Sequence, residues 1–145
     1  MEAASAIVPV KEQGAPAVAV DFGGRRTVHA VTMRTYMEKF LARRGLARDD
    51  VRRRPYEKGP LLHLPEGLYM AVPMGEKGFG YLRLADVKAL VITPKAIGFL
   101  MAGGRLYRAR GKAEALIGRY ERALAAQRAL IRSGKAQHQG AKNAP

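Results

Sequence analysis

Short apolar segments separated by glycine and proline fill the middle of the chain, and their spacing predicts β-hairpins. From residue 16, AVAVDF and TVHAVTM flank Gly23-Gly24, and glycine adopts the positive φ of a tight turn at little steric cost. LLHL and LYMAVP flank a turn at 65–67, and the later YLRLADVKALVI is long enough for a strand or for a strand and a bend. AIGFLMA and RLYRA flank Gly103-Gly104, which suits a two-residue type I′ turn. Together these segments predict an antiparallel sheet.

Helical periodicity occurs twice along the chain. Thr35 and Glu38 have the spacing of a capping box and Gly45 offers a stop, which predicts a short helix over about 35–44. Strong helix formers from Ala113 to about Arg132 predict a long helix that packs on the sheet. Its apolar face comprises Leu116, Ile117, Tyr120, Leu124 and Ile131. The predicted fold class is α+β: a single domain, with an antiparallel sheet, one short helix and a long C-terminal helix.

The two ends of the chain show no sustained apolar period. We therefore predict a flexible N-terminal arm over 1–15, a folded α+β DNA-binding domain over 16–132 and a disordered tail over 133–145. A chain of 145 residues, of which 48% are hydrophobic, has the size and composition of one domain with a buried core.

The charge balance points to a polyanionic partner. Lysine and arginine number 26 against 12 aspartates and glutamates, so the formal net charge is +14. Because such self-repulsion opposes folding, nucleic acid is the simplest explanation for its presence. Apolar runs are too short to span a membrane, and the sequence begins without a signal-peptide pattern, so we predict a cytoplasmic protein without a membrane partner.

Groups that perform catalysis or bind metals are scarce. Cysteine is absent, the three histidines are far apart, and Ser5 and Ser133 lie in the predicted terminal segments. The glycine pairs match neither a phosphate-binding loop nor a dinucleotide fingerprint. The sequence predicts a protein that is not an enzyme and has neither a cofactor nor a metal.

Two clusters of basic residues are the candidate nucleic-acid-binding residues. A guanidinium group can form two hydrogen bonds to phosphate oxygens or enter a narrow minor groove. The same charge is also found in solvated surface loops and at sheet edges, where it prevents pairing with other strands. The first cluster comprises Arg43, Arg44, Arg48, Arg52, Arg53, Arg54 and Lys58. The second comprises Arg105, Arg108 and Arg110, near the last strand.

An ordered series of short motifs runs from residue 30 to 125. It consists of Arg34-Thr35, the arginine-rich stretch, Lys58-Gly59-Pro60, Gly67-Leu68-Tyr69, Pro73, Tyr81-Leu82, Val87, Gly103-Gly104-Arg105 and the helical RYERA at 119–123. In order and approximate spacing the series resembles the competence transcription factor (ComK) family, although Tyr81 stands where that family has tryptophan. The resemblance implies an activator that binds AT-rich duplex DNA upstream of DNA-uptake genes, as a homo-oligomer, with Arg52, Arg53, Arg54 and Lys58 near the DNA.

Three other functions fit the same residues. The order of strands and hairpin before the long helix is also similar to DNA-binding domains of the LytTR type. An RNA- or ribosome-associated protein needs the same charge, and so does an adaptor that binds acidic protein partners.

Overall fold

The computed structural model describes residues 3–46, 61–75 and 78–142, with side chains up to residue 132. The described chain contains nine strands and two helices and confirms the α+β class. The strands are β1 (Ala6–Glu12), β2 (Ala15–Phe22), β3 (Arg25–His29), β4 (Leu61–Leu64), β5 (Gly67–Met74), β6 (Gly78–Arg83), β7 (Val87–Ile92), β8 (Ile97–Met101) and β9 (Leu106–Ala109). The helices are α1 (Met33–Ala42) and α2 (Ala113–Lys142), and a short 3₁₀ turn covers Leu84–Asp86.

The strands form two antiparallel sheets. The larger has six strands in the order β3-β2-β1-β6-β5-β4, and the smaller has three in the order β7-β8-β9. The predicted hairpins β2–β3, β4–β5 and β8–β9 are all present. The long segment YLRLADVKALVI bends at the 3₁₀ turn Leu84–Asp86, so its two halves belong to different sheets.

The six-stranded sheet is covered on both faces. On one face α1 packs through Met37, Phe40 and Leu41 against Ile7 and its neighbours. The opposite face packs against the inner side of the three-stranded sheet and against α2, through a core that includes Leu82, Phe99 and Leu116. Because successive side chains of a strand point to opposite faces, the same five strands, β1, β2, β4, β5 and β6, supply both cores.

The prediction of a flexible arm over 1–15 is wrong for most of that segment. Ala6–Glu12 form β1, which pairs with β2 along its whole length, and Ile7 is fully buried. Pro9 suggested an irregular segment. β1 pairs with β6 only at Ala6 and Ile7. Pro9 lies beyond these pairs, so its missing backbone N–H removes no hydrogen bond between β1 and β6.

Both helices differ from prediction at their ends. The N-cap of α1 is Thr32, whose hydroxyl accepts a hydrogen bond from the Thr35 backbone N at 3.2 Å, so the predicted capping box at Thr35 is not the helix start. The start of α2 at Ala113 agrees with the prediction, but its backbone remains helical to Lys142, within the predicted disordered tail. Ile131 is exposed rather than packed, because the contacts of α2 with the core end near Leu130.

A buried carboxylate joins the two sheets. Asp21 on β2 is fully buried, and its Oδ1 accepts a hydrogen bond from the Gly24 backbone N at 2.8 Å. Its Oδ2 accepts one from the Tyr107 hydroxyl at 3.0 Å and lies 3.3 Å from Arg105 Nε, in an ionic contact without hydrogen-bond geometry. We name this set of contacts the Asp21 latch. It holds the β2–β3 turn against the β8–β9 turn.

The β8–β9 turn is wider than the predicted two-residue type I′ turn. The last cross-strand pair is Leu100 with Leu106, and Gly103 and Gly104 both have positive φ, at 96° and 94°. A Cβ on Gly103 would lie 2.4 Å from the backbone carbon of Gly23, whereas one on Gly104 would meet nothing within 4 Å. The turn therefore takes its shape from its contact with the β2–β3 turn as well as from its own φ values.

This difference between the glycines predicts different costs of substitution. Both alanine variants carry the left-handed strain of about 1 kcal/mol, but Gly103→Ala also forces the two turns apart, for a total of about 3 kcal/mol. Urea unfolding measures both costs, and Gly104→Ala is the matched control. Equal destabilisation by the two substitutions would contradict close docking of the turns.

Candidate nucleic-acid interface

The described residues include half of the candidate binding residues. Arg43 and Arg44 lie at the end of α1, and Arg105, Arg108 and Arg110 lie in or beside the β8–β9 hairpin. The remaining candidates lie outside the described residues, and they are Arg48, Arg52, Arg53, Arg54 and Lys58.

Arg44 has an internal role. Its Nε lies 2.9 and 3.0 Å from the two carboxylate oxygens of Glu66, and its Nη2 also donates to Glu66. Nη1 donates to the Phe40 carbonyl at 2.8 Å, and the guanidinium lies over the Phe40 ring, 3.6 Å from its centroid. Since most of its donors are used, Arg44 clamps the end of α1 to the β4–β5 turn and has little left to offer a phosphate.

Burial and charge both act on this clamp. The hydrogen bond from Arg44 holds the pKa of the Glu66 carboxyl below its ordinary value, and burial opposes this. Burial also raises the pKa of the nearby Tyr36 hydroxyl, while the positive charges of Arg44 and Arg43 oppose that rise. The Tyr36 hydroxyl therefore lies within the field of two guanidinium groups.

A cleft of about 680 Å³ opens beside the clamp. Phe22, Tyr36 and Phe40 line it on one side, and Tyr36 stacks on Phe40 with 6.0 Å between ring centroids. Arg43, in contrast to Arg44, is exposed at the cleft. The remaining lining residues are Ala3, Ala4, Arg44, Pro65 and Glu66. With Glu66 already neutralised by Arg44, Arg43 leaves the cleft positively charged.

Sequence reasoning missed two basic residues on β3. Arg25 pairs with Phe22 across the hairpin and lies over the Phe22 ring, 5.0 Å from its centroid. Arg26 pairs with Asp21, on the opposite face of the strand, where it opposes the rise that burial causes in the pKa of Tyr107. The signal was present as the run GGRR, since two successive strand residues after a turn project to opposite faces.

Three arginines lie around the β3 edge of the large sheet. Arg43 lines the same cleft as Phe22, Arg25 lies over the Phe22 ring, and Arg26 is the next residue, on the opposite face of β3. All three are exposed. We name Arg25, Arg26 and Arg43 the arginine ridge.

The second predicted cluster divides between two roles. Arg105 belongs to the Asp21 latch, and its Nη2 also donates to the Gly24 carbonyl at 3.2 Å. Arg108 and Arg110 are exposed. The three-stranded sheet and α1 cover opposite faces of the large sheet, so Arg43 and Arg44 lie apart from Arg108 and Arg110. Arg26 and Arg105, both close to Asp21 and Tyr107, connect the ridge to the second cluster.

Internal pairing neutralises several carboxylates. Asp21 and Glu66 contact Arg105 and Arg44, and Asp86 accepts hydrogen bonds from Arg83 at 3.2 Å and from the Ser5 hydroxyl at 2.9 Å. Each of these three arginines is at least partly buried. These three carboxylates are therefore already engaged by arginines within the fold.

The described residues offer neither a metal site nor a membrane span. Within 3–46, 61–75 and 78–142, no group of three or more histidine, aspartate or glutamate side chains is placed to hold a metal ion. No helix in that part of the chain combines the length and apolarity that a membrane crossing requires.

Comparison with known proteins gives no match: no family model, no curated protein and no solved structure is similar to this chain. The resemblance to the competence transcription factor family therefore stays a prediction from the order of its motifs.

The Arg44–Glu66 clamp predicts a specific dependence of stability on pH. Because the folded-state pKa of Glu66 lies below its ordinary value of 4.5, the clamp stabilises the fold above that pH and is lost as pH falls through the lower folded value. At pH 7 we expect Glu66→Gln to cost about 1 kcal/mol. Urea unfolding of both proteins at successively lower pH should show that the difference between their free energies of unfolding becomes smaller. A difference that stays constant with pH would contradict the clamp.

Proposed function

We propose that the protein binds nucleic acid, with the arginine ridge contacting the phosphate backbone. The observation that supports this most strongly is the exposure of three arginines, Arg25, Arg26 and Arg43, around one edge of the large sheet. Exposed like charges repel each other and oppose folding, and bound phosphates would relieve that repulsion.

The geometry of the ridge suits a backbone rather than a single small anion. Arg25 and Arg26 project to opposite faces of β3, and Arg43 stands at the end of another element. Phosphates repeat along a nucleic-acid strand, and side chains spread around a sheet edge can each contact a different one. The arginine-rich segment follows α1 directly in the chain, and we propose that Arg48, Arg52, Arg53, Arg54 and Lys58 add phosphate contacts.

Duplex DNA is the proposed target, and regulation of transcription in the cytoplasm is the proposed role, without catalysis. This choice rests on the charge and on the order of the sequence motifs. Recognition of AT-rich promoter sites by a homo-oligomer is the more specific form of the proposal, and narrow minor grooves of AT-rich DNA attract arginine.

RNA or single-stranded nucleic acid is a second candidate, favoured by the aromatic cleft. Phe22 and Tyr36 line a space beside Arg43, and unpaired bases stack on aromatic rings while their phosphates bind cations. A duplex keeps its bases stacked inside and cannot use these rings. The two candidates therefore predict different ligand preferences for the same surface.

The preferred ligand is tested by fluorescence-anisotropy titration against an AT-rich duplex, a GC-rich duplex and a structured RNA at several salt concentrations. The duplex proposal predicts that the AT-rich duplex binds about tenfold more tightly, a difference of about 1.4 kcal/mol, and keeps its advantage as salt rises. Preference for the RNA would favour the second candidate. If all three ligands bind with equal affinity and dissociate at the same salt concentration, binding reflects only nonspecific charge attraction, which would contradict the proposal of a preferred duplex.

The arginine ridge is tested by changing Arg25, Arg26 and Arg43 to alanine together. We expect weaker binding and a salt slope on duplex DNA that falls by about 0.9 for each phosphate that the variant no longer binds. The matched control replaces Arg122, Arg128 and Arg132, which are exposed on α2, and it removes the same charge.

The control separates a site from net charge. Only the ridge variant should lose most of its affinity, while thermal unfolding confirms that both variants remain folded. Equal losses in the two variants would overturn the assignment of the ridge, because net charge alone would then explain binding.

A further inference from the structure

The three-stranded sheet has an edge that no other strand covers among the described residues. β7 pairs only with β8, and the sheet order β7-β8-β9 places it at the end. The exposed fraction of Ile92 is 58% and that of Val91 is 37%, although the two residues point to opposite faces of the strand. Both faces at this edge therefore present apolar side chains to solvent, beside a row of main-chain N–H and C=O groups.

The outer face of the same sheet continues this apolar surface. Leu106 on β9 is 51% exposed and lies across Gly98, since a Cβ on Gly98 would come within 2.9 Å of a Leu106 methyl carbon. The strand register places Val91, Gly98 and Arg108 side by side across the three strands. Apolar patches on a soluble surface often mark a contact with another molecule.

The charge of this sheet is of one sign. Residues 87–113 contain no aspartate and no glutamate. They contain six cations, and these are Lys88, Lys95, Arg105, Arg108, Arg110 and Lys112. Arg105 is neutralised by Asp21, and Arg108 and Arg110 lie on or just after β9, at the other side of the sheet. Lys88 and Lys95 lie near the two ends of β7 and make the apolar edge electropositive.

The apolar side chains and the positive charge together restrict which molecules can bind at the β7 edge. A second copy of the chain would bring the same cations together, which disfavours edge-to-edge pairing of two β7 strands. Nucleobases stack on aromatic rings, but the exposed apolar residues here, Val91, Ile92 and Leu106, are aliphatic. An unpaired strand edge with aliphatic side chains and flanking cations matches an extended peptide that carries aliphatic and acidic residues.

We propose that β7 is a docking site for an acidic, extended peptide segment of a partner protein, which adds a fourth strand to the three-stranded sheet. Its main chain pairs with β7, and its aliphatic side chains cover Val91 and Ile92. Its carboxylates meet Lys88 and Lys95. The irregularity in register between Val87 and Ala89 leaves Lys88 at the start of the strand and Ala89–Ile92 in regular pairing, so a regular edge of four residues is available.

The experiment uses the full chain and a labelled synthetic peptide of alternating valine and glutamate. We expect binding by fluorescence anisotropy, together with NMR shifts of the backbone amides in Ala89–Ile92. The same peptide with alternate main-chain amides methylated keeps its charge but cannot pair as a strand, and it should not bind. Lys88→Glu combined with Lys95→Glu should weaken binding about tenfold or more.

A control variant carries Lys11→Glu and Lys39→Glu, which change the charge equally at exposed positions elsewhere. It should bind the peptide within about twofold of the unaltered protein. The proposal is overturned if the methylated peptide binds as well as the unmodified one, if the two double variants lose affinity equally, or if the shifted amides lie outside β7. It is also overturned if anionic lipid vesicles or single-stranded DNA shift the β7 amides and the peptide does not. Nucleic-acid binding at the ridge is measured separately, so either proposal can fail without the other.

Discussion

The fold depends on the burial of one carboxylate. Removing Asp21 from water costs several kcal/mol unless partners replace its hydration, and a backbone amide, the Tyr107 hydroxyl and Arg105 do so. Hydrophobic packing is non-directional and would tolerate several positions of the three-stranded sheet on the larger one. The hydrogen bonds of the Asp21 carboxylate are directional, and they select one position of the three-stranded sheet. The close approach of Gly23 and Gly103 follows from that position, and so does the placement of Arg26 beside Tyr107.

Internal pairing also divides arginines that look equivalent in sequence. Arg43 and Arg44 are neighbours at the end of α1, but successive residues at a helical end point in directions about 100° apart. Arg44 thereby reaches Glu66 and the Phe40 ring, whereas Arg43 faces solvent. Arg105 in the second cluster is likewise used within the fold. Counting charges in a segment therefore overstates what is available to a ligand, and burial decides which guanidinium groups remain.

Sequence predicted the local features of the fold better than the distant ones. Hairpins and both helices follow from periodicity and turn glycines over a few residues, and they were found. The division into two sheets depends on a 3₁₀ turn at Leu84–Asp86, which periodicity only suggested as a bend. β1 was missed because Pro9 resembles a loop signal until its place in the sheet is known. Tyr107, which donates a hydrogen bond to Asp21, lies 86 residues further along the chain, and no local sequence pattern predicts such a pair. Arg25 and Arg26 could have been found from the strand alternation after Gly24.

The latch also separates the two surfaces. It holds the β9 side of the three-stranded sheet, because Tyr107 belongs to β9, whereas β7 is the opposite edge of that sheet. Neighbouring strands lie about 4.8 Å apart, so β7 is about 10 Å from the latched strand. The β3 edge that carries Arg25 and Arg26 and the β7 edge belong to different sheets. The two surfaces also differ in chemistry. Aromatic rings lie beside arginine at the ridge, whereas aliphatic side chains lie beside lysine at β7. Positive charge is common to both surfaces, and the two proposals differ because the apolar groups beside that charge differ.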